Sequence, residues 1–244
     1  MKDKVILITG AASGLGHAIA ANLLEQGANV VVFDINKESL SKLGASFDQH
    51  QVDVTDYESV QHEVDQVIEK HGKIDVLVNN AGIIHNELLV NLQKPHSMKH
   101  SYDSFKNTLK VDLDSVFIMT SIVAEKMVMQ RTKGCIINIS SISAQGNAGQ
   151  TAYSAAKGAV ESMTKTWGKE LGVFGIRTNA IAPGFIDTPS TAAALNDKAI
   201  EHIVSSTPLR KLGQTDNIVQ TVSYIIENDY VNASVLQVDG GLTL

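Results

Sequence analysis

The chain has 244 residues, 43% hydrophobic and 19% charged, and a formal net charge of −6. That length and balance suit one large α/β domain with a full core and exclude a disordered chain, while the acidic excess argues against a nucleic-acid surface, which needs clustered Lys and Arg. A single cysteine, Cys135, precludes an internal disulfide, and no apolar run approaches the roughly 18 residues of a membrane span.

β-Branched runs predict strands over residues 5–9, 29–34, 50–54, 76–79, 135–140, 177–182 and 235–238. Apolar residues at steps of three and four predict helices over 15–26, 57–71, 105–129, 152–173 and 215–227, with Asp56 starting one helix and Gly27 and Gly72 placed as C-terminal caps. This alternation implies a single doubly wound, Rossmann-type α/β domain, a seven-stranded parallel sheet with helices on both faces. In such a sheet ligands bind beyond the carboxyl ends of the strands, and each motif below falls at one. No leader-like segment precedes the first strand, so a soluble cytoplasmic protein is expected.

The first strand runs into Thr9-Gly10-Ala11-Ala12-Ser13-Gly14-Leu15-Gly16. In a glycine turn that opens a helix, Gly10 permits the tight bend, Gly14 lets the backbone approach a pyrophosphate, and Gly16 lets the helix pack on the strand. The same turn can also be a plain strand-to-helix connection. The second strand ends at Asp34, 24 residues after Gly10. A carboxylate there accepts hydrogen bonds from both ribose hydroxyls and repels a 2′-phosphate. Ser13, where an NADP enzyme would place a cation, points the same way, so NAD is expected in preference to NADP. The plainer alternative makes Asp34 a cap for the helical segment from Asn36.

Asp53, followed by Val54, is placed to accept from an adenine amino group or merely to start a turn. Asn79-Asn80-Ala81-Gly82 ends the fourth strand with small, polar residues suited to backbone contact with a ribose. His96 and His100 stand at metal-ligand spacing but flank no carboxylate cluster, so they read as solvated loop residues and no metal is expected. Cys135, in an apolar run, reads as a buried strand residue. Tyr153 and Lys157, four apart on a predicted helix, set a phenol beside an ammonium. A positive neighbour favours phenolate, which equips Tyr153 to exchange a proton with an alcohol or carbonyl oxygen.

Together, Thr9-Gly10-x-x-x-Gly14-x-Gly16, Asn79-Asn80-Ala81-Gly82, Ser140-Ser141, Tyr153-x-x-x-Lys157, and Pro183-Gly184 with Thr188 resemble the short-chain dehydrogenase/reductase family, from residue 4 to residue 244. The resemblance implies that Tyr153 is the general acid/base, that Lys157 assists it and holds the nicotinamide ribose, and that a serine hydrogen-bonds the substrate oxygen. The strand alignment points to Ser141, with the following loop one residue short; Ser140 and Ser143 remain alternatives. Pro183, Gly184, Ile186 and Thr188 match the family's nicotinamide-amide loop, and residues 185–212 its substrate lid. Where the family carries an asparagine this chain has Asp112. The resemblance implies that the asparagine bends the helix and holds, through its backbone carbonyl, a water linking the lysine to solvent; an aspartate has that carbonyl too, so activity is expected to survive with an altered pH profile.

The segment 83–104 and the run 224–232 resemble type 2 3-hydroxyacyl-CoA dehydrogenases. From Gly146 onward the chain is equally similar to bacterial 3-oxoacyl-(acyl-carrier-protein) reductases, which usually prefer NADPH. With Asp34, the expectation is NAD-linked oxidation of a secondary alcohol, foremost a 3-hydroxyacyl thioester on coenzyme A or a carrier protein. The opposing reading, a cofactor-binding regulator without turnover, would be marked by loss of Tyr153 or Lys157, and both are present. The predicted helices 105–129 and 152–173 are apolar beyond one face, which suggests subunit contacts, and the resemblance implies a homotetramer.

Overall fold

The computed structural model describes residues 1–94, 96–188, 191 and 195–244. In chain order the strands are β1 (Val5–Thr9), β2 (Asn29–Asp34), β3 (Asp48–Gln51), β4 (Val76–Asn79), β5 (Cys135–Ile139), β6 (Arg177–Pro183), β7 (Ile186–Asp187), β8 (Gly213–Gln214) and β9 (Val235–Val238). Seven of them form one parallel sheet in the order β3-β2-β1-β4-β5-β6-β9, and β7 pairs with β8 outside it. The direction of winding reverses between β1 and β4, so the ends of these strands part into a crevice.

Each strand feeds two cores because successive side chains point to opposite faces. In β1, Ile6 and Ile8 enter one core and Val5 and Leu7 the other. Helices α1 (Gly14–Glu25) and α8 (Thr215–Glu227) cover the first face with Ile19, Leu23, Ile218, Val222 and Ile225. On the second face, α3 (Tyr57–His71) and α5 (Ser115–Met129) supply Val60, Val64, Met119, Val123 and Met127. The α3 helix is bounded as expected: the Asp56 side chain accepts from Ser59 N–H, and Gly72 caps the far end at φ 78°. The remaining helices are α2 (Lys37–Ser41), α4 (Tyr102–Leu109), α6 (Thr151–Leu171) and α7 (Asp197–Ser206). Among the described residues no helix is long and apolar enough to cross a membrane.

A polar ladder crosses the second core. Asn79 donates to Thr120 Oγ1 (2.9 Å) and Asn138 Oδ1 (2.8 Å), and Asn138 donates to Thr164 Oγ1 (2.9 Å). These buried amide bonds tie α5 and α6 to β4 and β5, although Asn79 Oδ1 has no partner among the described residues.

Four expectations need correction. The third strand spans Asp48–Gln51, two residues earlier than 50–54, because it is an edge strand with polar side chains. Val52 and Val54, whose apolar character suggested strand, instead lie buried in the chain leaving it. The predicted helix 105–129 begins at Tyr102, where Ser101 accepts from Ser104 N–H, and a π-helical turn over Lys110–Asp114 separates α4 from α5. The helix that carries Tyr153 ends at Leu171 and passes into a 3-10 turn, Gly172–Phe174. His100 is no solvated residue: its side chain is 7% exposed and its ring packs edge-on against His85 and Phe105, whereas His96 is exposed as expected.

Candidate active site

The glycine turn after β1 is held open by its neighbours. Gly10 (φ 62°) donates its N–H to Phe33 O at 2.7 Å, and Asn80 donates to the carbonyls of Thr9 and Gly10 at 3.0 Å each. A Cβ on Gly10 would lie 2.8 Å from Ala81 Cα, and one on Gly16 only 2.4 Å from both Asn80 Nδ2 and Gly10 O. Gly14 is different: its φ of 57° is left-handed, yet a Cβ there would meet nothing within 4 Å. A side chain there would face open space rather than the packed fold. The Ser13 side chain caps no N–H of α1, so the first-turn amides of that helix are available to an anion.

Gly10, Ser13, Gly14 and Leu15 line a cavity of about 460 Å³ together with Asp34, Asp53, Val54, Asn80, Ala81 and Gly82. Ten residues singled out by sequence thus share one crevice. Ile35, Thr55, Ile83 and Val111 also line it; they lacked a motif of their own. Helix α2 is capped by Asn36, whose side chain accepts from Ser39 N–H, and not by Asp34. Asp34 instead accepts from Ala12 N–H (3.0 Å) and Asn36 N–H (2.9 Å), bracing the glycine turn while its spare lone pairs face the cavity. Asp53 forms the turn that its alternative reading foresaw, with Thr55 N–H and Oγ1 both on Oδ1. Burial pushes its carboxyl up, but the Thr55 hydrogen bonds and the Lys110 charge outweigh it and leave it below its ordinary value. The uncapped amides, the open cradle at Gly14 and the carboxylate beyond β2 fit a nicotinamide dinucleotide.

The second part of the site stands on α6, β5 and the π turn. Lys157, one helical turn from Tyr153, has its Nζ 5.5 Å from the tyrosine ring centre, 3.0 Å from Ile139 O and 3.4 Å from Asp112 Oδ1. Tyr153 is 9% exposed and Lys157 4%. Among the described residues, no hydrogen bond engages the Tyr153 hydroxyl. Asp112 is fully buried and accepts from Ile83 N–H at 3.2 Å. Burial raises its carboxyl above the usual range, and the Lys157 ammonium only partly offsets that. A side chain on Gly82 would lie 2.5 Å from Asp112 Oδ1, so the glycine makes room for the contact.

The serines now differ. Ser140 is buried and its hydroxyl donates to Glu161 Oε1 at 2.9 Å. Ser143 is buried as well, whereas Ser141 is partly exposed and its oxygen accepts from Ser143 N–H, leaving its proton free to donate. Glu161 was not foreseen; nothing in the sequence pairs it with Ser140. At the end of β6, Gly184 donates to Val238 O, and a Cβ on it would lie 2.7 Å from Asp239 Cα, while Pro183 is the last residue of the strand. Ile186 belongs to the β7–β8 stem and is 7% exposed; the Thr188 hydroxyl contacts Thr191 Oγ1 at 3.0 Å. The lid expectation falls partly on residues 189, 190 and 192–194, which lie outside the described residues. Cys135 is buried as expected, and burial pushes its thiol up to about 11.

Over residues 10–243 the chain matches the protein family described as Enoyl-(Acyl carrier protein) reductase. It is 40% identical over 254 residues to 3-oxoacyl-(acyl-carrier-protein) reductase FabG of Thermotoga maritima, an alignment covering 100% of this chain and 99% of that one. The chain belongs to the short-chain dehydrogenase/reductase family. This dehydrogenase/reductase is also 36% identical over 255 residues to 3-hydroxyacyl-CoA dehydrogenase type-2 of Bos taurus, covering 100% of this chain and 97% of that one. The crystal structure of levodione reductase superposes with a TM-score of 0.88 at 32% identity, covering 99% and 98% of the two chains. As a member of this family the protein is an oxidoreductase, and the family works with nicotinamide cofactors.

Proposed function

We propose that this enzyme is an NAD-linked dehydrogenase interconverting a secondary alcohol and a ketone, with a 3-hydroxyacyl thioester as its substrate. The observation that carries the reading is the buried Lys157 Nζ over the ring of Tyr153, whose hydroxyl no described residue engages. Tyr153 takes the proton of the substrate alcohol, or returns it to the carbonyl oxygen, and Ser141 donates a second hydrogen bond to that oxygen where negative charge develops. Lys157 sets a positive charge 5.5 Å from the Tyr153 ring centre. A bound nicotinamide dinucleotide accepts or supplies the hydride. Asp112 holds the Ile83 end of the crevice wall and neighbours Lys157, so it acts through Lys157 rather than on substrate.

Preference for NAD rests on Asp34, whose carboxylate repels a 2′-phosphate. The acyl substrate is supported by α7, whose Ile200, Ile203 and Val204 are half-buried beyond the β7–β8 stem; this stretch is the proposed lid. The exposed Phe117 and Met129 on α5 support assembly into an oligomer, for which a tetramer is the family-based reading. A second reading, reduction of a carrier-protein thioester, is favoured by the similarity to the Thermotoga maritima reductase. Initial rates with NAD and NADP, in both directions, on acetoacetyl-CoA, its carrier-protein equivalent, a steroid and a sugar alcohol separate these readings. Turnover of the CoA thioester with NAD is the expected outcome. Activity on neither thioester would end the substrate proposal, and a preference for NADPH would end the cofactor proposal.

A further inference from the structure

The stretch between β4 and α4, residues 83–101, contains no helix or sheet strand among its described residues. It is tied down by single backbone bonds: Glu87 N–H to Gly149 O (2.7 Å), Asn91 N–H to Met98 O (2.6 Å) and His100 N–H to Leu89 O (2.9 Å). Apolar burial contributes little to its order, since Leu88, Leu89, Val90 and Leu92 are 49–82% exposed. One polar cluster turns inward instead. Glu87, 9% exposed, lies under two imidazoles: His85 Nε2 is 3.2 Å and His100 Nδ1 3.4 Å from the same Oε2 atom.

We infer that His85, Glu87 and His100 form a binding site for a divalent ion of the zinc class, which staples this segment to the substrate side of the crevice. One ligand atom from each residue lies within 4.8 Å of the other two. On a tetrahedral ion with bonds of about 2.1 Å, donor atoms stand about 3.4 Å apart, so two of the three edges already have the required length. Two imidazoles and a carboxylate are a donor set that zinc accepts with one position left open, whereas magnesium and calcium prefer oxygen alone. The open position faces water beside His85, whose side chain is 38% exposed. The ion would displace the proton by which His100 Nδ1 now contacts Ser101 O at 2.9 Å. Lys94, 3.0 Å from the other carboxylate oxygen, Oε1, would remain in place and orient Glu87. The role is structural: Glu87 N–H holds the turn that precedes α6, and Ile83 N–H is held by Asp112, so the staple joins two walls beside Tyr153. This inference does not depend on the identity of the substrate.

The full-length protein is stripped with a chelator and titrated with zinc chloride by calorimetry, and with cobalt chloride by visible absorption. The expected result is one zinc per chain, an intense tetrahedral cobalt spectrum, and slower proteolysis within 83–101 once zinc is bound. His85→Ala, at a half-exposed position that spares the core, and His100→Ala each weaken zinc binding by at least about tenfold. His50→Ala, in the separate Asp48 cluster at the sheet edge, leaves it unchanged. Absence of zinc uptake, or uptake that survives His85→Ala undiminished, overturns the inference.

Discussion

Adding one methyl group to Gly16 tests how the glycine turn is built. The Cβ would enter space held by Asn80 Nδ2 and Gly10 O, both 2.4 Å away. Backbone cannot recede from backbone cheaply, and overpacking of this kind costs about 1–3 kcal/mol. Asn80 must also swing out, which breaks two hydrogen bonds worth about 1 kcal/mol each. Against this, alanine gains about 1 kcal/mol over glycine within a helix. The balance is a loss of about 3 kcal/mol, which for a chain of this size is roughly 6–12 °C in Tm. Gly14→Ala is the paired control: no contact opposes it, and the left-handed backbone costs only about 1–2 kcal/mol. Its methyl would instead stand in the path of a dinucleotide phosphate, so affinity for NADH falls at least about tenfold, or 1.4 kcal/mol. Urea denaturation with unchanged m-values, paired with NADH fluorescence titration, reads both effects. The reasoning fails if Gly16→Ala is as stable as the parent, or if Gly14→Ala is the less stable of the two.

Tyr153→Phe lowers kcat by about 10²–10⁴ while Tm holds, since no described residue hydrogen-bonds the hydroxyl; intact turnover in a folded sample would remove the assigned proton donor. Asp34→Ser shifts selectivity from NAD toward NADP, measured as the ratio of kcat/KM values, and also loosens the turn through the lost Ala12 contact; an unchanged ratio would count against the ribose role. Because burial raises the Asp112 carboxyl in the folded state, its ionised form costs stability above the folded pKa, and that cost vanishes below the unfolded one. Asp112→Asn therefore stabilises the protein near neutrality, and the gain shrinks on acidification toward about pH 4. A gain that grows as the pH falls would contradict this sign.

The central strands were legible because β1, β2 and β4 each carry a buried run of β-branched and other apolar residues that ends in a polar one, Thr9, Asp34 or Asn79. At β3 that signal is absent: Asp48, Gln49, His50 and Gln51 pair on one side only and need no apolar face. That ten of the residues singled out by motif share one crevice has a related reason, since they sit at strand ends where local motif and topology coincide. What escaped was set by contacts distant in sequence. Ser140 and Ser141 became distinguishable through their burial and through Glu161, 21 residues beyond Ser140. His100 was paired in sequence with His96, four residues off, but in space its partners are Glu87 and His85. The π turn left no mark in the apolar spacing, and only the family resemblance at Asp112 implied a bend there.

That wide turn at Lys110–Asp114 is in effect one residue inserted into a continuous helix. Each residue advances an α-helix by about 100° of rotation, so deleting one there to restore regular winding would swivel α4 against α5 by that amount. Thr120, anchored by Asn79, and Asp112, tucked beside Lys157, could then no longer both keep their stations. The surplus residue thus works as a phase shifter, matching the azimuth demanded by the packed interior to that demanded by the Asp112–Lys157 contact.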